Sequence, residues 1–344
     1  MRIKETCEDF LVDEILDETF FSEPSTAYHL YVLKKRNYTT ERAVQQLART
    51  LRIPRKIIGY AGAKDKQAIT TQYITIKGVK KDKIAALELK DLELTFKGYA
   101  TQQLTLGNLK GNKFTVTVYE PDFIPDTLPE TFGFPNYFDE QRFSNDNVAI
   151  GKAIFLKNFK EAVELIIKGD TDYGSELAEY LKTHEHDYVG AIHRIPKKIL
   201  LFYVHAVQSL LFNELLVKQI HDGFSVNYRH GIFIFPLDII KQASMQMLPL
   251  IGFGTPPTDK QDEQLAIQGL DYPSFIVRQF PELSLEGSER RMFLQVQDCK
   301  FVSKEDTENG VNTENGARGK VVVSFSLSKG SYATIVLKQL FAKR

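Results

Sequence analysis

An α+β protein in two parts is what this sequence predicts, and three observations carry the prediction. Short segments in which apolar and polar residues alternate recur from residue 2 to about residue 119 and again from about 297 to 327, the pattern of half-buried strands. Between them, from about Asn147, apolar residues fall at helical spacing. The chain has 344 residues, 43% of them hydrophobic and 26% charged, which suits a globular protein of two domains.

Taken in order, Phe10 and Val12 alternate with polar neighbours in 2–14, and 27–34 form a clearer strand. Thr40 is the expected N-cap of a helix, with Glu41 in its first turn, Val44, Leu47, Ala48 and Leu51 on one face, and Pro54 as its stop. The opposite face carries Arg42, Arg49 and Arg52. Residues 71–77 read as a strand, 80–88 as a short helix and 91–99 as a further strand. Gly-Asn occurs twice in 106–113, marking tight turns, and Phe114, Val116 and Val118 then alternate as a strand. Residues 121–134, with three prolines, read as a connection. Helical spacing follows in 147–168, 174–184 and 196–220, and 225–290 are mixed, with a short strand at 231–235. Strands return at 297–303 and 320–327, separated by a polar stretch, 305–319, expected to be a mobile loop. Ser331 is the expected N-cap of a C-terminal helix.

The chain is organised around residues 59–72, GYAGAKDKQAITTQ. Apolar Ile57 and Ile58 lead in, and Ile74 and Ile76 lead out, so the stretch reads as strand, tight loop, strand, with Gly59 and Gly62 where a side chain would clash. Asp65 would sit on that loop between Lys64 and Lys66, and a cation beside a carboxylate favours the charged form. Such a residue is either functional or an ordinary solvated turn residue. A phosphate-binding P-loop is excluded, because Gly62 is followed by Ala63 before Lys64, and Asp65 stands where a hydroxyl is required.

The net charge is zero, yet residues 34–83 hold fourteen Lys and Arg against three acids, a local excess of +11 that leaves −11 on the rest. That segment is either a solvated basic face or the footprint of a polyanion near the loop. Residues 135–144, PNYFDEQRFS, combine aromatic, amide and guanidinium groups that suit either a base-stacking site or a core beside a turn. His184, His186, Asp187 and His193 lack the paired spacing of a metal site, and no metal is expected. With only Cys7 and Cys299, no signal-peptide pattern and no apolar run near the length of a membrane span, a reducing cytoplasm is the expected location. Nothing calls for an obligatory protein partner.

Together these segments resemble the TruD family of tRNA pseudouridine synthases. The resemblance runs in order through Glu8–Glu14, Gly62–Gln72, Leu106–Phe114, Pro135–Phe143, Ser209–Asn213 and Phe325–Thr334. It implies a pseudouridine-synthase core, a mixed β-sheet flanked by helices, built from 1–149 and 294–344, with a family-specific α/β domain inserted at 150–293. It implies isomerisation of uridine in RNA to pseudouridine without metal or organic cofactor, with tRNA as partner and uridine 13 of the D stem-loop as the usual target. Asp65 matches the catalytic aspartate. Lys4 and Lys64 match lysines of the site and Phe10 another aromatic. Phe138 would stack on the target uracil, and Asn136 would hydrogen-bond near the base or the aspartate. Arg42, Arg49 and Arg52 become candidates for phosphate contacts. The family commonly has Gly where Asp139 and Ser144 stand, so a positive φ is the open question there. The competing reading is a non-catalytic RNA-binding protein on the same scaffold. A metal hydrolase using the 184–193 histidines is a third reading, which sensitivity to a chelator would single out.

Overall fold

The structure, a computed structural model, describes the chain except residues 24–26, 145, 170–172 and 305–318. Most of the polar stretch expected to be mobile therefore lies outside the described residues. The described chain divides into two compact units, Met1–Phe132 with Gln295–Lys343, and Gly133–Leu294 with Arg344.

The first unit contains, in chain order, β1 (Arg2–Ile3), β2 (Phe10–Leu16), β3 (Phe21–Ser22), β4 (Tyr28–Arg36), α1 (Thr40–Leu51), β5 (Ile58–Tyr60), β6 (Ile69–Lys77), α2 (Lys81–Ala85), β7 (Leu92–Ala100) and β8 (Leu109–Tyr119). The chain leaves it through β9 (Phe132–Pro135) and, once back, adds most of β14 (Phe293–Lys304), β15 (Lys320–Ser328) and α9 (Ala333–Phe341). The sheet is mixed. β2 runs parallel to β6, with Val12 opposite Thr70, and antiparallel to β8, with Phe10 opposite Val116. β4 lies between β6 and β7, antiparallel to both. β15 pairs with β8 along its whole length, so the C-terminal strands extend the sheet begun at the N-terminus.

Burial explains the elements. In β2 the inward positions are Phe10, Val12, Glu14 and Leu16, and in the second half of β4 they are Leu33 and Lys35, between exposed Lys34 and Arg36. α1 buries Ala43, Val44, Leu47, Ala48 and Leu51 among Leu33, Ile58, Ile74 and Ile76. Gly111 lies inside β8, not in a turn as expected, because a Cβ there would stand 2.3 Å from the Leu327 carbonyl oxygen of β15. Gly59 is required for the same reason, a Cβ lying 2.3 Å from the Leu104 carbonyl oxygen.

Two caps differ from expectation. Thr39, not Thr40, caps α1, its hydroxyl accepting from the Arg42 amide, and the helix ends in left-handed Arg52 two residues before Pro54. Tyr332 occupies the cap position of α9, while the Ser331 hydroxyl donates to the Ser328 carbonyl.

The second unit contains α3 (Asn147–Phe155), α4 (Phe159–Lys168), α5 (Gly174–Thr183), α6 (Tyr188–His193), α7 (Lys197–Val217), β10 (Gly223–Tyr228), β11 (Gly231–Pro236), β12 (Met247–Leu250), α8 (Asp259–Ile267) and β13 (Ser288–Arg291). The single helix expected over 147–168 is broken at left-handed Lys157, and Asn158 caps the second half by accepting from the Glu161 amide. β10 pairs with β11 and β12 with β13, both antiparallel. Ile154, Val163, Ile192, Val204, Leu211, Phe275 and Phe280 join the helices in one core. α7 is long and apolar enough to cross a bilayer by length and composition, but 72% of its apolar window is buried within the protein. It is the central core helix of this unit, which buries apolar side chains all round.

Candidate active site

The Asp65 loop, residues 61–68, connects β5 to β6, which pair with Gly59 opposite Thr75. Side chains and backbone from β4, α1, β6 and the segment before β8 hold the loop. The Gly107 amide donates to the Ala61 carbonyl at 2.8 Å. The Gln72 amide donates to the Gly62 carbonyl at 3.1 Å, and its Oε1 accepts from the Thr40 hydroxyl at 2.8 Å. The same Thr40 oxygen accepts from the Lys64 amide at 2.9 Å. Lys35, 0% exposed, donates from Nζ to the Tyr38 carbonyl at 2.6 Å and to the Asp65 carbonyl at 2.8 Å. Buried polar groups need such partners, and here those partners fix the backbone on both sides of Asp65.

The Asp65 carboxylate is the exposed end of this assembly, its side chain 41% exposed. Its ion pair is with Lys4, Nζ to Oδ2 at 2.6 Å. Lys4 is itself positioned. Its backbone is left-handed, with φ of 59°, its carbonyl accepts from Gln67 Nε2 at 2.6 Å, and its ammonium lies 4.0 Å from the Phe10 ring centroid. Phe10 meets Phe114 edge-on at 6.0 Å, and Phe114 stacks on Phe325 at 5.6 Å. Phe10 thus supports the lysine from beneath.

Lys64, adjacent to Asp65 in sequence, is directed elsewhere. Its ammonium is buried and forms a short ion pair with Glu14, whose other oxygen accepts from the Tyr73 amide at 3.1 Å. Burial lifts the Glu14 carboxyl above its ordinary value, with Lys64 and the Tyr73 amide opposing. Burial likewise pushes Lys35 down to about 8, against the attraction of Asp65. Glu14 and Lys35 were not singled out in the sequence. Their signal was positional, since each is a charged residue on the inward face of a period-two strand.

Asn136 and Phe138 lie in the second unit and are buried there. The Asn136 amide donates to the Met292 carbonyl at 2.8 Å, its Nδ2 donates to the Arg291 carbonyl at 2.9 Å, and its Oδ1 accepts from Arg290. Asn213 of α7 clamps Phe138 through both backbone groups, accepting from its N–H at 2.9 Å and donating to its C=O at 2.8 Å. The Arg290 guanidinium lies 4.1 Å from the Phe138 ring centroid, Phe212 meets that ring edge-on at 5.6 Å, and the residue is only 7% exposed. Asp139 has φ of −85° and Ser144 of −55°, so neither uses the backbone that glycine would allow.

The remaining candidates are placed as follows. Arg42, Arg49 and Arg52 all project into solvent from the first unit. Arg49 and Arg52 line a shallow groove with Arg55, Ile53 and Pro54, which Arg42 does not reach. Arg55 is committed to Glu41, Nε to Oε1 at 3.0 Å and Nη2 to Oε2 at 2.7 Å. Among the 184–193 group, Asp187 accepts from the Gly190 amide at 2.8 Å and the Tyr180 hydroxyl at 2.6 Å. His184 stacks on Tyr180 at 4.2 Å, and His193 packs against Phe280 at 4.5 Å. Among the described residues no three His, Cys, Asp or Glu side chains gather as metal ligands.

The chain matches the family model described as tRNA pseudouridine synthase D (TruD) over residues 1–176, 167–234 and 237–340. It is 30% identical to the "Probable tRNA pseudouridine synthase D" of Methanopyrus kandleri, over 90% of this chain and 84% of that protein. It is also 30% identical to the "Probable tRNA pseudouridine synthase D 2" of Methanocaldococcus jannaschii, over 99% and 92%. A crystal structure of the "Putative tRNA pseudouridine synthase D (TruD)" of Methanosarcina mazei superposes with a TM-score of 0.70 at 25% identity, covering 100% of this chain and 94% of that one. The mixed-sheet α+β fold thus has its counterpart in that structure. The chain belongs to the TruD family of tRNA pseudouridine synthases.

Proposed function

We propose that this protein converts uridine 13 in the D stem-loop of tRNA to pseudouridine, with Asp65 as the catalytic carboxylate. The observation that carries the reading is the Lys4–Asp65 pair at 2.6 Å on a loop whose backbone is fixed on both sides of the aspartate. A carboxylate held in this way is pre-positioned for the reacting sugar or base and needs little reorganisation. The isomerisation balances without oxidant or cofactor. The bond from C1′ to N1 breaks, the base turns, C1′ bonds to C5, the C5 hydrogen leaves as a proton, and N1 gains one. Uracil in a stem-loop must leave its stack to be reached.

Lys4 offsets the Asp65 charge, Phe10 holds Lys4, and Lys64 acts through Glu14 and the loop backbone. In the second unit, Phe138 offers the aromatic face for the uracil, and Asn136 orients Arg290 beside it. Because Arg290 covers Phe138, stacking on the base requires that guanidinium to shift. Arg49 and Arg52 contact the RNA phosphates from α1, with Arg42 nearer its start. We also infer a catalytic core from 1–149 and 294–344 around an inserted domain at 150–293. The two compact units support this, with a first crossing at 132–133, earlier than the sequence estimate.

The test is pseudouridine in a tRNA transcript carrying uridine 13, read by tritium release from C5 or by chemical labelling, since the mass does not change. Product with the wild type and none with Asp65→Asn supports the reading. Product with both removes Asp65 from the mechanism. Tight tRNA binding without product from either favours the RNA-binding scaffold.

A further inference from the structure

One guanidinium of the 135–144 segment has no task in the reaction above. Arg142 lies in a short helical turn, Glu140–Phe143, of the second unit. Both ends of the stretch are fixed. Asn213 clamps the Phe138 backbone, and Phe143, 1% exposed, packs against Tyr228 at 5.8 Å and His230 at 5.5 Å. The Arg142 amide donates to the Asp139 carbonyl at 2.9 Å and closes the turn. The side chain is thereby aimed back at Phe138, its guanidinium carbon 5.4 Å from the ring centroid.

Arg142 is half-buried, and the protein does not neutralise its charge. Its Nε is enclosed and has no hydrogen-bond acceptor among the described residues. Nη1 and Nη2 have none among the described residues either, but they are not enclosed and so reach solvent. No described carboxylate stands within ion-pair distance of this guanidinium, and Asp146, the next acid along the chain, is committed to Arg229 at 3.2 Å. His205 of α7 supplies no anion. Burial pushes its imidazole below its ordinary value, the Arg142 charge pushes the same way, and a Gln208 hydrogen bond opposes. The Phe138 ring is a partial counterpart at that distance. Arg290, the other guanidinium at the ring, differs, because Asn136 engages its Nε and Nη2. A partly desolvated charge without a counter-ion lowers the stability of the free protein. Its open edge, Nη1 and Nη2, carries the paired N–H geometry that fits two oxygens of a phosphate.

We propose that Arg142 is a substrate-positioning residue that binds a backbone phosphate of the nucleotide whose base lies on Phe138. The proposal rests on the reading that Phe138 receives the target uracil. A nucleotide carries its phosphates one sugar away from its base, so a base on that ring brings them into the neighbourhood of Arg142. The phosphate supplies the counter-charge that the protein withholds. Its consequence is that the extruded nucleotide is held at two points, base and backbone. A phosphate contact fixes position without reading sequence, and a flipped nucleotide needs such a hold to stay out of its stack.

The experiment measures tRNA binding by the full chain in an Asp65→Asn background, so that the target stays uridine, over a range of salt. Arg142→Gln and Arg142→Lys are added to that parent. The RNAs are a transcript with uridine 13 and two versions in which a neutral methylphosphonate replaces the phosphate on one or the other side of that uridine. Arg142→Gln should weaken the transcript by about tenfold and lower the slope of log affinity against log salt by about one. Arg142→Lys should keep the slope and recover part of the affinity. One phosphonate should cost the parent about as much as Arg142→Gln does and cost the Arg142→Gln protein nothing further. The unfolding midpoint of Arg142→Gln should equal or exceed that of the parent, because a poorly compensated charge is gone. A parent indifferent to both phosphonates overturns the proposal, whether or not the variants fold. So does a phosphonate effect that is undiminished in Arg142→Gln, or a loss of affinity that tracks a loss of stability with the salt slope unchanged. Pseudouridine formed by the wild type, with a silent Arg142→Gln, removes the phosphate contact alone. A phosphonate effect that Arg142→Gln abolishes, with no pseudouridine from the wild type, keeps the contact and removes the activity.

Discussion

The loop that carries Asp65 is held by charged side chains, Lys35 on its carbonyl and the Lys64–Glu14 pair beneath it. The segment that carries Asn136 and Phe138 is held by neutral and delocalised groups, the Asn213 amide on the backbone and the Arg290 guanidinium over the ring. Both arrangements immobilise a short stretch of chain with side chains distant in sequence. They differ in what they do to the local field. Around Asp65 the buried charges set the environment of the one carboxylate left open to solvent. Around Phe138 the backbone is clamped by a neutral amide, and the guanidinium groups of Arg290 and Arg142 lie 4.1 and 5.4 Å from the ring centroid. The first region sets its charges against the loop backbone, and the second against an aromatic face.

The comparison breaks most readily at Glu14. Glu14→Gln leaves the Lys64 ammonium buried without a counter-charge, a change that commonly costs about 3–5 kcal/mol. Urea unfolding should show that loss. Glu14→Gln combined with Lys64→Met should recover most of it, because no charge then remains to be buried. If the single variant is as stable as the wild type, the pair does not hold the loop.

At the clamp, Asn213→Leu removes both hydrogen bonds between the Asn213 amide and the Phe138 backbone at once. Losing two such bonds should cost about 1–3 kcal/mol, less than the broken ion pair and with little dependence on pH or salt. Hydrogen exchange at the Phe138 amide should accelerate with it. Unchanged exchange would mean that the amide is protected by something other than Asn213.

A further effect distinguishes the regions by pH. Burial pushes Lys35 down to about 8 in the folded chain, against about 10.4 for an unburied lysine. Between those values the unfolded chain binds more protons, so stability rises with pH across that window. Lys35→Met should remove that rise and loosen the Asp65 carbonyl. A wild type whose stability is flat from pH 7.5 to 10 would show that Lys35 keeps its ordinary proton affinity, the range being chosen to bracket about 8.

These charges also mark how far the sequence could be read. The strands, the loop and α1 follow from periodicity and glycine placement, because a half-buried strand and an amphipathic helix each write their period into the chain. The partners of Asp65 do not. Adjacency pointed to Lys64, but in an extended lead-in successive side chains alternate direction, and Lys64 turns inward to Glu14. Lys4 comes from 61 residues earlier, through a register between strands that no local pattern encodes. Glu14 and Lys35 were visible as charges on inward faces, and a buried charge implies a partner, but not which one. Arg290 and the Asn213 clamp depend on tertiary contacts between segments far apart in the chain, and nothing near Phe138 announces them.

The Lys4–Asp65 pair is where stability and function should part most clearly. Its aspartate is 41% exposed, and exposed pairs contribute about 0–1 kcal/mol. Lys4→Met keeps the length of the side chain and its contact with Phe10 and removes only the charge, so its unfolding midpoint should hardly move. Turnover should fall well beyond what that small loss explains, because the carboxylate has lost the cation that orients it. Lys4→Arg should restore part of the rate, since a guanidinium can still reach Oδ2 and lie over Phe10. If Lys4→Met loses stability and activity in proportion, the lysine is an ordinary structural ion pair, and the contrast between a fixed frame and an open carboxylate fails at the residue that should show it best.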